Sequence, residues 1–165
     1  MLDPRARTTY RRRAGLAAGP PGGAHPSFST APPQGEDKYT HTSVGSNDPP
    51  KSQAFYNAVF DTIGATPILA DPAMGRLAWN KDGLNFMVVT PIDGEPASRA
   101  NGGTIGFACA GPDMVDAWHA AGCAAGGTTC EDPPGVREFP FGKLYLAYLR
   151  DPDGNKLCAM HAMGQ

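Results

Sequence analysis

The sequence has no apolar run that approaches the roughly 20 residues a helix needs to span a bilayer. It also has no C-x-x-C pair among its four cysteines, Cys109, Cys123, Cys130 and Cys158. These cysteines are too few for a disulfide scaffold, so we expect reduced thiols in a cytoplasmic protein with no membrane partner. With 165 residues and 41% hydrophobic content, the chain is large enough for one packed domain or two small fused modules.

The chain also has no large excess of positive or negative charge, since its formal net charge is only −2. The charges are nevertheless unevenly distributed. Residues 1–35 carry five Arg and one Asp, whereas residues 36–165 carry nine Lys or Arg against fifteen Asp or Glu. Residues 36–165 are acidic and also contain the residues expected to form the core. We therefore expect no nucleic-acid partner.

The N-terminal segment has almost no periodic apolar residues and is rich in Pro, Gly, Arg and Ser. Such a composition cannot bury enough surface to offset the entropy of ordering, so we predict a disordered tail over residues 1–37 and a folded domain over 38–165. The run Arg11-Arg12-Arg13 also fits an Arg-rich transit peptide, but too short an apolar stretch follows it for twin-arginine export. A dispensable tail or an upstream translation start fits the composition better.

From residue 39 onward, one order of strands and helix occurs twice. In the first copy a strand over 39–45 precedes a helix that begins at the Asp48 cap and ends at Gly64, and strands follow near 66–69, 76–80 and 84–89. In the second copy a strand over 104–109 precedes a helix and strands near 128–130, 143–149 and 156–161. The helix segments that begin at Ala54 and Ala117 match at an offset of 63 residues. We therefore predict an α+β fold of two tandem βαβββ modules, with module one over 39–90, a linker over 91–101 and module two over 102–161.

Alternation along the strands predicts two faces of different character. One face is apolar and should pack against the helices: Val44, Leu84, Phe86, Val88, Ile105, Phe107 and Leu157. The other is small, mixed and partly polar, as expected of a sheet that lines a cavity: His41, Ser43, Asn85, Met87, Thr104, Gly106, Cys158 and Met160.

Three segments in this order carry a resemblance to a known family. They are Tyr39-Thr-His41-Thr-Ser-Val-Gly45, Ala54-Phe55-Tyr56, and Tyr148-Leu-Arg150-Asp151-Pro-Asp-Gly-Asn-Lys156-Leu. Residues 39–161 resemble the vicinal oxygen chelate superfamily, which includes glyoxalase I, bleomycin resistance proteins and extradiol dioxygenases. The resemblance implies a glyoxalase-like fold in which curved sheets form a cleft, and a homodimer. If the protein is an enzyme, the resemblance implies a glyoxalase-type lyase or a dioxygenase.

The resemblance also implies four metal-ligand positions, which here hold His41, Asn85, Thr104 and Cys158. Only His41 is a usual ligand, since the family commonly has Glu at the second and fourth positions and His at the third. We therefore predict a largely degenerate metal site and no firm cofactor, with a divalent metal as the alternative. A metal-free His41 is the candidate catalytic residue, as a base or hydrogen-bonding group near neutral pH. Cys158 fits either a nucleophile paired with His41 or a small buried residue, and the second interpretation is favoured.

A Pro- and aromatic-rich segment, Pro133–Gly142, is predicted to be a long loop over the cleft. In it Arg137 is placed to pair with an anionic ligand, with Phe139 and Phe141 as walls. Together with these three, the predicted ligand-binding residues are Ser43, Asn85, Met87, Thr104 and Cys158.

The sequence thus predicts a protein that binds a small organic molecule in a cleft, with the family's metal site largely degenerate. Two alternatives stay open. One is an active metal-dependent lyase or dioxygenase with an atypical metal site, and the other is an antibiotic-sequestering resistance protein without catalysis.

Overall fold

A computed structural model describes residues 39–164, and the predicted tail over residues 1–37 lies outside them. The described chain is α+β, with two helices and two sheets. The first half contains β1 (His41–Gly45), α1 (Pro49–Ile63), β2 (Thr66–Asp71), β3 (Arg76–Lys81) and β4 (Leu84–Val89). The second half contains β5 (Ile105–Ala108), α2 (Pro112–Ala124), β6 (Thr128–Thr129), β7 (Gly135–Phe139), β8 (Gly142–Arg150) and β9 (Lys156–Ala162). Neither helix of this region is long and apolar enough to cross a membrane.

The two sheets repeat one topology. The first has the strand order β1-β4-β3-β2 and the second β5-β9-β8-β6, with β7 also paired to β8. In each sheet the first strand runs parallel to the last strand of its half, and the remaining pairs are antiparallel. The predicted duplication is therefore present in the strand pairing, and β1 and β5 are each an edge strand.

Local sequence signals fix the ends of α1. The Asp48 carboxylate accepts a hydrogen bond from the Lys51 backbone N–H at 3.1 Å, and two prolines fill the first turn. Gly64 ends the helix with φ of 72°, a left-handed conformation that glycine adopts at little cost.

The core lies between the helices and one face of both sheets. Val44, Phe86, Val88 and Leu157 are buried there, as the alternation predicts. Leu84 is an exception, because it is 45% exposed at the start of β4. It follows directly on a tight turn in which Asp82 and Gly83 both have positive φ, and it lines a cavity beside the C-terminal end of α1.

The predicted loop over Pro133–Gly142 is wrong for most of its length. Residues 135–139 form β7, which pairs with β8 from Gly135↔Leu146 to Phe139↔Gly142. A proline-bounded segment can form a strand at the sheet edge, where unpaired backbone groups face solvent and only one side must be hydrogen-bonded.

The turn between β8 and β9 joins the second half to the start of α1. The buried Asp151 carboxylate accepts hydrogen bonds from the Tyr56 hydroxyl at 2.7 Å and from the Asn155 side-chain amide at 2.8 Å. Asp153 accepts from the Asn47 backbone N–H at 2.8 Å and from the Ser52 hydroxyl at 3.0 Å. These contacts link positions about a hundred residues apart, so the turn anchors the two halves to each other.

Candidate functional site

The sheet surface opposite the helices, here called the open face, carries most of the predicted site residues. In the first sheet His41 is opposite Asn85 and Ser43 is opposite Met87. Their strand neighbours Val44 and Phe86 face the core. Alternation therefore places these four side chains on the open face.

In the second sheet the open face includes Gly106, Cys158 and Tyr148, which are opposite one another across β5, β9 and β8. Thr104 immediately precedes β5. Arg137 is opposite Leu144 on β8, and Leu144 has the parity of Tyr148, so Arg137 also belongs to this face.

The four inferred metal positions do not form a ligand set. His41 is exposed, and its Nδ1 lies 3.0 Å from the Thr40 hydroxyl. The Asn85 side-chain oxygen accepts a hydrogen bond from the Asn80 amide at 2.7 Å. Across residues 39–164, no three His, Cys, Asp or Glu side chains converge in a way that would hold a metal ion.

Cys158 is a buried thiol with 6% of its surface exposed. Burial raises its pKa and the Glu131 carboxylate adds to the rise, which together outweigh the lowering by a hydrogen bond with Tyr148. The thiol is therefore protonated at neutral pH, which favours the interpretation of Cys158 as a small buried residue over a nucleophile.

We expect Cys158 to resist alkylation in the native protein. Because the thiolate is the reactive form, a buried thiol with a raised pKa should react at least about tenfold more slowly with iodoacetamide at pH 8 than exposed Cys123. Peptide mass spectrometry over a time course checks this, with urea-unfolded protein as the control in which the two rates converge. Faster labelling of Cys158 than of Cys123 would instead support the nucleophile hypothesis.

Tyr148 is a candidate site residue that was not predicted. It lies beside Cys158, and the Lys156 ammonium is 4.8 Å from the centre of its ring. Burial, with the adjacent Cys158 and the Glu131 carboxylate, raises the pKa of Tyr148 to about 12, so its hydroxyl keeps its proton. Sorting residues 143–149 by parity, as was done for the other strands, would have placed Tyr148 on the open face.

Arg137 lies on the open face, but its predicted aromatic walls lie elsewhere. Its guanidinium donates to the Pro133 carbonyl at 2.8 Å and to the Val136 carbonyl at 3.3 Å. Phe139 and Phe141 stack on each other with ring centres 5.1 Å apart at the tip of the β7–β8 hairpin. They line neither of the two cavities described next, and their ligand-binding role stays a prediction.

Two cavities lie between β1 and β5. The polar cavity, of about 280 Å³, brings Ser43 and Thr104 together with Ser98, Asn155 and Lys156. The aromatic cavity, of about 350 Å³, contains Asn85 among its lining residues. His41, Met87, Arg137 and Cys158 line neither, so the structure distributes the predicted residues over the open face instead of gathering them in one pocket.

The fold and the duplicated strand order agree with comparisons to known proteins. The family model of the Glyoxalase/Bleomycin resistance protein/Dioxygenase superfamily matches residues 38–159 of the sequence. The chain belongs to this superfamily. A glyoxalase/bleomycin resistance protein from Albidiferax ferrireducens T118 is 51% identical, with a TM-score of 0.71 over 74% of this chain and 98% of that one.

More distant relatives show the same fold. A lactoylglutathione lyase from Agrobacterium tumefaciens is 22% identical, with a TM-score of 0.55 over 79% of this chain and 95% of that one. A superfamily enzyme from Burkholderia phytofirmans PsJN is 18% identical, with a TM-score of 0.58 over 75% of this chain and 98% of that one. None of the functionally curated proteins matches the chain.

Membership in the superfamily makes a divalent metal the expected cofactor, but the residues present do not fit one. A hard octahedral ion needs carboxylate or imidazole ligands. The four family positions supply one imidazole, one amide that is already hydrogen-bonded, one hydroxyl and one protonated thiol.

Proposed function

We propose that this superfamily member binds a small organic acid on the open face of its second sheet without a metal ion. One observation carries the proposal. Arg137, Tyr148 and Lys156 lie on the same face as Cys158, where the family's metal ligands are replaced by other residue types. The Lys156 ammonium is 4.8 Å from the centre of the Tyr148 ring, and the Arg137 charge partly offsets the rise in the Tyr148 pKa.

The electrostatics of this cluster favour an anionic group. Lys156 is paired with Glu131, so the charges of these two side chains offset each other. The carboxylate paired with Arg137 is that of Asp132, which is 3.9 Å away and 84% exposed. Such a long, solvated pair is weak, and the carbonyls that hold the guanidinium carry no charge. Arg137 therefore retains most of its positive charge for a ligand, and the protonated Tyr148 hydroxyl supplies a neutral donor beside it.

The polar cavity supplies room for the rest of the molecule. Lys156 both lines this cavity and contacts the Tyr148 ring, so it connects the cavity to the cluster. Ser43 and Thr104 offer hydroxyl groups there. This arrangement needs no chemical step, and the proposal is one of binding, with His41 kept as a candidate base for any turnover.

Replacing Arg137 should weaken acids selectively. We expect Arg137→Ala to weaken a bound carboxylate by about 1.5–3 kcal/mol, the usual worth of a charge-assisted hydrogen bond, or roughly 10- to 150-fold in Kd. The probes are small hydroxy acids and thioether acids, each with its primary amide, first screened by thermal shift and then titrated calorimetrically in EDTA. Lys143→Ala is the matched control, because Lys143 is an exposed cation on the neighbouring strand that pairs with Glu138.

Two results would contradict the proposal. In one, acid and amide are weakened equally or not at all by Arg137→Ala. In the other, no acid binds in EDTA but binding appears when a divalent metal is added, which would favour a metal-dependent lyase or dioxygenase. The homodimer and the cytoplasmic location stay predictions that accompany this proposal.

A further inference from the structure

The aromatic cavity is separate from the cluster that is proposed to bind an acid. Four rings line it, Phe60, Trp79, Phe86 and Phe107, and the centres of neighbouring rings lie 5.2–5.6 Å apart. Arg137, Tyr148 and Lys156 are not among its lining residues. An inference about this cavity therefore does not rest on the proposed function.

The turn beside the cavity differs in length between the two halves. In the second half, the five-residue turn Asp151–Asn155 packs against the start of α1. The corresponding β3–β4 turn has only Asp82 and Gly83 between its strands. The short turn contributes Asp82 to the cavity lining, and Lys81 and Leu84 line the cavity on either side of it.

The rim of the cavity carries no net charge. Lys81 and Asp82, its two charged residues, lie 3.3 Å apart and pair with each other. The Trp79 indole N–H is already bonded to the Asn57 side-chain oxygen at 3.0 Å, and the Asn85 oxygen is bonded to Asn80. The interior therefore offers mainly apolar surface with few free polar groups, which suits an uncharged ligand.

We propose that the aromatic cavity is a second ligand site, which takes a small uncharged aromatic molecule of one or two rings. Its volume of about 350 Å³ lies at the lower end for ligand pockets, which span roughly 300–1,000 Å³. Because Phe60 and Trp79 are only 1–2% exposed, a ring that enters it contacts mainly the partly buried Phe107 and apolar neighbours on the same lining. Charged groups are disfavoured, because the paired rim charges offer no unpaired partner to offset their desolvation.

Benzyl alcohol is a suitable probe, with benzoate and benzylamine as comparators that keep the ring and add a charge. The chain has two tryptophans, and Trp79 lines the cavity whereas buried Trp118 does not. In proton–nitrogen correlation spectra we expect the Trp79 indole resonance to shift saturably, with a Kd on the order of millimolar for so small a ligand. The Trp118 resonance should stay in place, and both charged comparators should bind more weakly.

A variant that occupies the space tests the location. Thr42 lines the cavity on β1 and has the parity of core-facing Val44, so Thr42→Phe directs added bulk to the side of the sheet that carries the rings. We expect it to weaken benzyl alcohol on the order of tenfold. Ala162→Val, at an exposed strand position outside the cavity, is the control. Leu84→Trp, at a 45% exposed lining position with the parity of Phe86, replaces the first variant if that one does not fold.

Each outcome decides the proposal. A saturable Trp79 shift that Thr42→Phe weakens and Ala162→Val leaves unchanged supports it. It is overturned if no saturable shift occurs up to the solubility limit, if Thr42→Phe binds like the wild type, or if a charged comparator binds more tightly than the alcohol.

Discussion

Asp151→Ala should lower the free energy of unfolding by about 3–5 kcal/mol, the range expected when a buried hydrogen-bond network is broken. Asp151 is 4% exposed, and its carboxylate accepts four hydrogen bonds. The donors are the Tyr56 hydroxyl, the backbone N–H groups of Asp153 and Asn155, and the Asn155 side-chain amide. Truncation leaves several of them buried without a partner, and each such group costs about 1–3 kcal/mol.

Urea denaturation of the wild type and the variant measures this effect. Asp132→Ala is the matched control, because Asp132 is 84% exposed and its closest cation is 3.9 Å away, so its loss should stay within about 0.5 kcal/mol. Tyr56→Phe removes a single donor and should cost less, about 1.5–3 kcal/mol. If Asp151→Ala were as stable as its control, the turn would not anchor α1 as described.

Phe60→Ala should be comparably destabilising, by about 3–5 kcal/mol, because it removes a buried aromatic ring at the centre of the core. Phe60 is 1% exposed. Its ring centre lies 5.2 Å from that of Phe86 and 5.3 Å from those of Trp79 and Phe107. Because Phe107 belongs to the second half of the chain, the same ring packs against both sheets.

The matched control is Phe141→Ala, since Phe141 is 71% exposed at a hairpin tip and its truncation should change stability by less than about 1 kcal/mol. Equilibrium unfolding followed by circular dichroism compares the two variants. Equal stability of both would mean that Phe60 is not part of a core shared by the two halves.

The fold was predictable because it depends on short-range patterns. Alternation sorted the strand residues into core and open faces, the Asp48 cap and Gly64 gave the ends of α1, and the turn Lys81-Asp82-Gly83 gave a hairpin. β7 was missed because the prolines on either side of it are typical of a loop, and an edge strand needs only one paired side.

The site was less predictable, because it depends on how distant segments approach each other. Tyr148 joins the cluster through its position opposite Cys158, and the register of β8 and β9 decides that position. The two cavities depend on the separation of β1 and β5, two edge strands that pair with other partners. No spacing in the sequence specifies that separation, so Ser43, Asn85 and Thr104 were predicted to share a cleft in which the structure separates Asn85 from the other two.

The central claim is that this protein has the superfamily fold but binds no divalent metal. The metal content of the purified protein is its most direct test. Elemental analysis after dialysis should find well under one equivalent of Ni, Zn, Mn or Fe per chain, in the wild type and in His41→Ala alike, because one imidazole beside an amide, a hydroxyl and a protonated thiol binds such ions weakly. A stoichiometric metal that survives dialysis in the wild type and is lost in His41→Ala would contradict the account.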